Sequence, residues 1–187
     1  MSSSLLDSFI EKESWNINFL FSYGSNSSIQ VKNRVESEEP IHFYPAYIKN
    51  YVRIFGGVSK RWNGGIASIV PSENNNVYGI VMKLTNVQLA KLDTYEGGYT
   101  REKININVQS IMGKERVVEG YVYIKNENNF MYLPSQAYME AIRSMLDERR
   151  MSHTQKIAIR CLKDGIIKSV GIWDPEYGIK LNNIYNI

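Results

Sequence analysis

The stretch FLFSYGSN at residues 19–26 decides how this sequence folds. Three large apolar residues are followed directly by a polar segment with a glycine, which predicts a buried strand that ends in a tight loop. Gly24 permits a positive φ there, so successive backbone N–H groups can turn inward and bind an anion. A structural alternative stays open, in which the loop only connects strand to helix and Ser25 or Asn26 is the N-cap.

The second informative stretch is LDTYEGGY at residues 92–99, which closes a helical pattern. It places one carboxylate, Glu96, among two tyrosines and two glycines. A single acid after a helix is usually a solvated charge, so Glu96 alone is a weak indication of catalysis. Together with a loop of backbone donors, a carboxylate in aromatic surroundings is typical of an enzyme site.

Composition excludes several classes of protein. The chain has 187 residues, 43% of them apolar, and a net charge of +3 from 22 basic and 19 acidic residues. This predicts one globular domain and no nucleic-acid partner. The lone Cys161 precludes an intramolecular disulfide, and the first 14 residues do not resemble a signal peptide. No apolar run approaches the roughly 20 residues of a membrane-spanning helix, so we expect a cytoplasmic protein without a membrane partner.

Residues that commonly hold metals or cofactors are sparse. His42 and His153 are far apart, and Cys161 lies on the apolar side of a predicted helix, so we expect no metal and assign that thiol to core packing. The glycine pairs that flank Lys60 and Arg61 match no known phosphate loop and favour backbone turns. No dinucleotide fingerprint is present, and we predict no cofactor.

The order of predicted elements favours an α+β fold. Strands are predicted at residues 17–23, 51–58, 65–70, 77–82, 101–109 and 116–125, with 65–82 forming a hairpin about an Asn-rich turn. Helices are predicted at residues 27–38, from a Thr85 or Asn86 cap, from Ser135, and at about 154–163, ending at Gly165. We therefore expect a small mixed β-barrel or sheet of about six strands with flanking helices.

Three parts of the chain are distinguished by composition. Residues 1–15 form a Ser-rich extension that we leave out of the core, residues 16–165 form the domain, and residues 166–187 form a tail. The tail is aromatic and Asn-rich, and we expect it to pack on the domain or on a partner subunit. Its apolar residues are Ile172, Trp173, Tyr177, Ile184 and Tyr185.

Four segments, in order, resemble the γ-glutamylcyclotransferase superfamily. They are YGSN at residues 23–26, WNGGIASI at 62–69 before the strand VYGIV, LDTYEGGY at 92–99, and PSQAY at 134–138. Together they span about residues 19–142. The Trp-x-Gly-Gly stretch is most similar to the γ-glutamylcyclotransferase branch itself.

Two departures from the family pattern stand out. Ser27 and Ser28 occupy positions where the family usually has Leu, which we expect to alter the packing beneath the loop more than its backbone donors. Residues 31–45 are also unlike the common pattern, so one wall of the pocket is expected to differ.

The resemblance implies a barrel-like fold and an enzyme that releases 5-oxoproline from a γ-glutamyl amino acid. In this family the substrate's own α-amine attacks its γ-carbonyl, and one glutamate acts as general base and then general acid. That glutamate corresponds to Glu96. By the same resemblance Tyr138 contributes a hydroxyl near the ligand, and a homodimer is favoured. The substrate-binding residues it implies are Tyr23, Gly24, Ser25, Asn26, Tyr138, Trp62 and Tyr123.

Other functions stay open from the sequence. The chain can be a cyclotransferase for γ-glutamylamines or for glutathione, with the same acid and loop but a different pocket wall. It can also be a non-catalytic binder of a small metabolite, although a buried carboxylate does not help to bind an acidic ligand. A nucleic-acid or protein-interaction domain that uses surface Tyr and Arg is the weakest alternative, because the charge is nearly balanced.

Overall fold

The computed structural model describes residues 4–11, 15–110, 112–126, 132–149, 156–174 and 178–180. These residues form helices α1 (Leu5–Ile10), α2 (Ser28–Val35), α3 (Asn86–Asp93) and α4 (Gln136–Glu148). They also form strands β1 (Ile17–Ser22), β2 (Phe43–Ser59), β3 (Gly64–Thr85), β4 (Tyr99–Gln109), β5 (Glu115–Lys125), β6 (Ile157–Lys163), β7 (Ile166–Asp174) and β8 (Gly178–Lys180). None of the described helices is long and apolar enough to cross a membrane.

Five strands close into a barrel in the order β1-β3-β2-β4-β5, and β6-β7-β8 form a separate sheet. The pairs within the barrel are antiparallel except for β1 and β5, which are parallel. The predicted α+β class with a mixed barrel is therefore confirmed. The predicted strand count of about six falls between the five of the barrel and the eight described in all.

Strand β1 delivers the loop at residues 23–26 to one end of the barrel. Its residues Phe19, Leu20 and Phe21 are each 1% exposed, which explains the unbroken apolar run in the sequence. Leu20 lies opposite Tyr121 in the parallel pairing with β5. Because β1 is held on both sides by other strands, the loop that follows it starts from a fixed point.

The predicted hairpin within residues 65–82 is wrong. This segment belongs to the single long strand β3, and both of its halves pair with β2 rather than with each other. The register between the two strands shifts between Tyr51, opposite Pro71, and Lys49, opposite Asn76. Asn74 has a φ of 63°, so the Asn-rich segment departs locally from extended backbone, as a bulge within a strand.

The predicted helix at 154–163 is also wrong. Residues 157–163 form β6, which pairs with β7, and residues 151–155 lie outside the described part of the chain. Ile157, Ile159 and Cys161 are buried, at every second position as a strand requires. Asp164 and Gly165 both have positive φ values, so the glycine makes a hairpin turn instead of ending a helix.

The two termini of the chain contribute to the core. Helix α1 carries a capping box and buries Leu6 and Phe9, so leaving residues 1–15 out of the core was wrong. Trp173 on β7 is 1% exposed, whereas Ile172 is 42% exposed. The other apolar tail residues that the sequence singled out, Tyr177, Ile184 and Tyr185, lie outside the described residues. The domain bounds 16–165 and 166–187 remain predictions.

Two predicted helix starts are confirmed, and both position the site. Thr85 caps α3 within a capping box, and Ser135 caps α4 by accepting a hydrogen bond from the Tyr138 N–H. Helix α3 leads to Glu96, and α4 begins with the turn that carries Tyr138. Both helices therefore bring functional candidates to the end of the barrel where β1 delivers its loop.

Candidate active site

The loop at residues 23–26 is held by the serines on either side of it. Ser22 Oγ donates a 2.7 Å hydrogen bond to the Asn26 carbonyl, and Ser27 is the N-cap of α2. The alternative caps Ser25 and Asn26 are therefore excluded. Within the described part of the chain, no acceptor binds the backbone N–H groups of residues 24–26. They remain available to a ligand.

Gly24 is required for a different reason from the predicted one. Its φ is not positive, unlike those of four other glycines. A Cβ at this position would lie 3.2 Å from Tyr138 Oη and 3.6 Å from Ala67 Cβ. The glycine therefore permits the loop to approach α4 and β3 closely, and a positive φ plays no part.

The turn after α3 places Glu96 in the site. The helix ends at Asp93, the Glu96 N–H donates to the Asp93 carbonyl, and the Tyr99 N–H donates to the Glu96 carbonyl. The Glu96 side chain is only 11% exposed, and its Oε1 accepts a 2.7 Å hydrogen bond from Asn26 Nδ2. Arg34 Nη1 lies 3.3 Å from the same oxygen. The predicted acid and the predicted loop are thus in direct contact.

Opposing effects set the acidity of Glu96. Burial raises its pKa above the ordinary value, while the hydrogen bond from Asn26 and the charges of Arg34 and Arg61 lower it. Burial prevails, so the pKa is raised overall. A carboxylate in these surroundings accepts a proton more readily than an exposed glutamate, while two donors of the protein still stabilise its ionised form.

Three tyrosines line the same cavity as Glu96, and their hydroxyls are hydrogen-bonded to the main chain. Tyr23 Oη donates to the Tyr123 carbonyl at 2.6 Å, and Tyr99 Oη donates to the Ala67 carbonyl at 2.6 Å. Tyr138 Oη accepts a 2.9 Å hydrogen bond from the Ala67 N–H. Burial raises the pKa of Tyr138 to about 12 and shifts the pKa of Tyr23 and Tyr99 in the same direction. These phenols are therefore neutral hydrogen-bonding groups at physiological pH.

Trp62 and Tyr123 complete the walls. The Trp62 ring lies edge-on to Tyr138, with ring centroids 5.1 Å apart. The Arg61 guanidinium lies over the same Trp62 ring, 5.5 Å from its centroid. Tyr123 Oη donates a 2.7 Å hydrogen bond to Asp93 Oδ1. That bond ties β5 to the end of α3, close to Glu96.

All eight residues singled out from the sequence line one cavity of about 180 Å³. They are Tyr23, Gly24, Ser25, Asn26, Trp62, Glu96, Tyr123 and Tyr138. Their individual roles remain predictions. Among the described residues, no group of three or more His, Cys, Asp or Glu side chains is arranged to hold a metal ion.

Sequence reasoning missed Arg34, which lines the cavity and is 8% exposed. Its Nη1 donates to Asn26 Oδ1 at 2.7 Å, and its guanidinium lies 5.4 Å from the Tyr95 ring centroid. A signal was present, because Arg34 is three positions after the buried Val31 and therefore lies on the inner face of α2. Arg34 also belongs to the segment 31–45 that departs from the family pattern.

The two serines that replace the family's leucine positions make polar contacts. Ser27 and Ser28 are buried, and Ser27 caps α2. Ser28 donates through its N–H and its hydroxyl to the Glu148 carboxylate, at 2.7 and 3.0 Å. The start of α2 is therefore fastened to the end of α4 by hydrogen bonds.

Comparisons with known proteins agree with the family resemblance of the four sequence segments. The family model described as gamma-glutamyl cyclotransferase, AIG2-like, matches residues 20–140. The gamma-glutamylcyclotransferase of Bos taurus is 29% identical over 130 residues, which cover 65% of this chain and 66% of that protein. The Homo sapiens protein of the same name is 30% identical over 116 residues, or 58% and 60% of the two chains. The match thus spans just under two thirds of these relatives' length.

Solved structures show the same fold. A structure named gamma-glutamyl cyclotransferase superposes with a TM-score of 0.62 at 27% identity, covering 73% of this chain and 82% of the other. A yeast cyclotransferase described as specific to glutathione superposes with a TM-score of 0.52 at 14% identity, covering 75% and 91%. The second likeness concerns the fold alone. With the family model matching from β1 into α4, this chain belongs to the gamma-glutamyl cyclotransferase, AIG2-like family.

Proposed function

We propose that this protein is a γ-glutamylcyclotransferase, which converts a γ-glutamyl compound into 5-oxoproline and a free amine-bearing product. One observation carries the proposal: the buried Glu96 carboxylate lies in contact with Asn26, at the loop of unengaged backbone donors, inside a small cavity. The relatives named gamma-glutamylcyclotransferase support the same activity.

The reaction needs no nucleophile from the protein. The neutral α-amine of the substrate attacks its γ-carbonyl, and a new C–N bond closes the five-membered ring. Glu96, as a carboxylate, takes the proton that this nitrogen loses. The original amide C–N bond then breaks, and Glu96 returns the proton to the leaving nitrogen, so that no net proton is gained or lost.

The raised pKa of Glu96 suits both halves of this cycle. A carboxylate with an ordinary pKa is a weak base towards an amine, whereas burial makes this one more basic. The hydrogen bond from Asn26 and the charge of Arg34 keep the ionised form available before the attack. Glu96 can therefore act first as the base and then as the acid.

The loop and the aromatic walls supply binding and orientation. The backbone N–H groups of residues 24–26 are suited to a substrate carboxylate or to the oxyanion that develops on the γ-carbonyl. Tyr138 and Trp62 limit the space in which the γ-glutamyl arm can lie. Holding the amine against the carbonyl in this way can lower the barrier by about 7–11 kcal/mol.

Two alternatives make different predictions for substrates. A cyclotransferase for γ-glutamylamines or for glutathione uses the same acid and loop and differs in what the outer pocket accepts. A non-catalytic binder of a small metabolite retains ligand affinity but forms no 5-oxoproline. A panel of γ-glutamyl amino acids, γ-glutamylamines and glutathione, assayed for 5-oxoproline, separates these possibilities.

The decisive variant is Glu96→Gln, which keeps the shape of the side chain and removes its ability to accept a proton. We expect kcat for 5-oxoproline release to fall by about 10²–10⁴-fold, as for the loss of a general acid–base group. Glu102→Gln is the matched control, because Glu102 is exposed on β4 and does not line the cavity. Near-normal turnover by Glu96→Gln, with an unchanged melting temperature, would refute this mechanism.

A homodimer and a cytoplasmic location accompany this proposal. The resemblance favours the dimer, and Ile166 and Ile172 leave apolar surface on β7, at 58% and 42% exposure. Light scattering of the purified protein tests the homodimer, and cell fractionation tests the cytoplasmic location.

A further inference from the structure

A wide cleft adjoins the small cavity. It has a volume of about 800 Å³ and runs between α2 and α4. Ser25, Arg34, Arg61 and Tyr95 line both spaces, so the cavity and the cleft adjoin along these four side chains. A substrate that reacts at Glu96 and is longer than the cavity would reach the cleft at this point.

The volume of the cavity indicates that a substrate occupies both the cavity and the cleft. The cavity of about 180 Å³ is smaller than the roughly 300–1,000 Å³ of ordinary small-molecule sites. It suits the γ-glutamyl arm, which reacts beside Glu96, better than a whole dipeptide. The part of the substrate beyond the scissile amide, which is the leaving group, then lies in the cleft.

The wall shared by the cavity and the cleft carries two cations with unused donors. Arg34 Nε is buried without a hydrogen-bond partner in the described part of the chain, on a side chain only 9% exposed. Arg61 is exposed and lies over the Trp62 ring, and its charge acts on Glu96 from a distance. Within the described ranges its guanidinium makes no hydrogen bond or salt bridge. Two guanidinium groups, one of them unpaired, favour an anionic group at this point.

The acids of the opposite wall are already engaged. Glu148 accepts hydrogen bonds from Ser28, and Asp147 Oδ2 lies 3.9 Å from Arg143 Nε. The cleft is therefore cationic where it meets the cavity and acidic further out. A carboxylate bound in it is favoured beside the arginines and disfavoured at the far wall.

From this arrangement we propose that the cleft is the subsite of the leaving group, and that Arg61 binds the α-carboxylate of a leaving amino acid. The inference rests on the proposed function. It makes Arg61, which lies outside the reacting centre, a determinant of leaving-group specificity. A γ-glutamyl amino acid carries a carboxylate one carbon from the leaving nitrogen, whereas a simple γ-glutamylamine has none.

Two substrates that differ by one carboxylate test the proposal. They are γ-L-glutamyl-L-alanine and γ-L-glutamylethylamide, and the readout is the ratio of their kcat/KM values. We expect Arg61→Gln to reduce the preference for the alanine compound by about two- to fivefold, the upper part of the range for an exposed ion pair. Lys60→Gln is the matched control, because Lys60 is an exposed neighbouring cation that lines neither space. It should leave the ratio unchanged.

The outcomes separate the subsite from the activity. A ratio near one in the wild type, or a ratio that Arg61→Gln leaves unchanged, overturns the subsite and keeps the cyclotransferase. If the wild type forms no 5-oxoproline from either compound or from glutathione, the proposed function fails, and calorimetric titration with the same pair decides the subsite. Tighter binding of the alanine compound that is lost in Arg61→Gln then supports the subsite, and equal or absent binding rejects it.

Discussion

Two arginines, Arg34 and Arg53, lie on either side of the loop at residues 23–26 and are buried to the same degree, at 8% and 9% exposure. Arg53 donates from Nε to the Tyr23 carbonyl and from Nη2 to the Tyr78 carbonyl, both at 2.9 Å. Arg34 instead contacts the side chains of Asn26 and Glu96 and leaves Nε without a partner in the described part of the chain.

The difference shows that burial alone does not distinguish a structural arginine from a functional one. Main-chain carbonyls are held in place by the backbone and do not ionise. The hydrogen bonds by which Arg53 links the loop to β3 are therefore independent of pH. Burial lowers the pKa of Arg53 to about 10, which still leaves it charged at neutral pH. The partners of Arg34 are a carboxylate with a raised pKa and an amide, and their interaction with it changes when Glu96 takes up a proton.

Among the substitutions at and beside the loop, Arg53→Met has the largest expected effect. It removes the donors of two carbonyls at buried positions, and we expect the free energy of unfolding to fall by about 2–4 kcal/mol. Chemical denaturation measures the change, with activity falling only in proportion to the folded fraction. Ordinary surface substitutions change the free energy of unfolding by less than about 0.5 kcal/mol. A change this small in Arg53→Met would contradict a structural role for Arg53.

Arg34→Met should affect activity more than stability. The charge of Arg34 lowers the pKa of Glu96, so its removal raises that pKa further. We expect the acid limb of the kcat/KM profile to move to higher pH, because Glu96 must be ionised to act as the base, and kcat/KM at neutral pH to fall by about tenfold. A pH–rate profile beside that of Arg53→Met measures both effects. An unshifted acid limb would show that Arg34 does not act through Glu96.

Gly24→Ala has the smallest expected effect. It tests whether the glycine is needed for lack of space rather than for its backbone conformation. The added methyl would lie 3.2 Å from Tyr138 Oη, so we expect affinity for a γ-glutamyl substrate to fall by about fivefold, equivalent to overpacking by roughly 1 kcal/mol. Combining it with Tyr138→Phe removes the crowded oxygen. Substrate titration of the two single variants and the double variant should show that the losses are less than additive. Additive losses would indicate that crowding is not the cause.

The sequence predicted the parts of the site that depend on local chemistry. The apolar run before Tyr23 forms β1, and the caps Thr85 and Ser135 begin α3 and α4 where expected. These features are set by residues within one turn of each other. Glu96 follows from the end of α3, so its place near the barrel was also predictable, although its contact with Asn26 was not.

The failures concern pairing over longer distances. Asn74 does have a positive φ, yet the two halves of β3 pair with β2, a choice that local turn chemistry cannot reveal. Residues 157–163 have apolar residues at a spacing compatible with a short helix or a strand, and tertiary pairing with β7 decided for the strand. Arg34 was missed because a basic residue on a helix is usually a solvated one.

The parallel pairing of β1 with β5 has a consequence for the order of folding. Tyr23 and Tyr123, joined by a hydrogen bond, are 100 positions apart in the sequence, whereas β2 and β3 are joined by a short connection. Closing such a long loop costs entropy before any contact compensates for it, so the β2–β3 pair is expected to form early and the β1–β5 seam late. During synthesis β1 can pair with residues 80–85 of β3 first, but its seam with β5 must wait for residues around position 122 to leave the ribosome. The walls around Glu96 are therefore assembled at the last step of barrel closure.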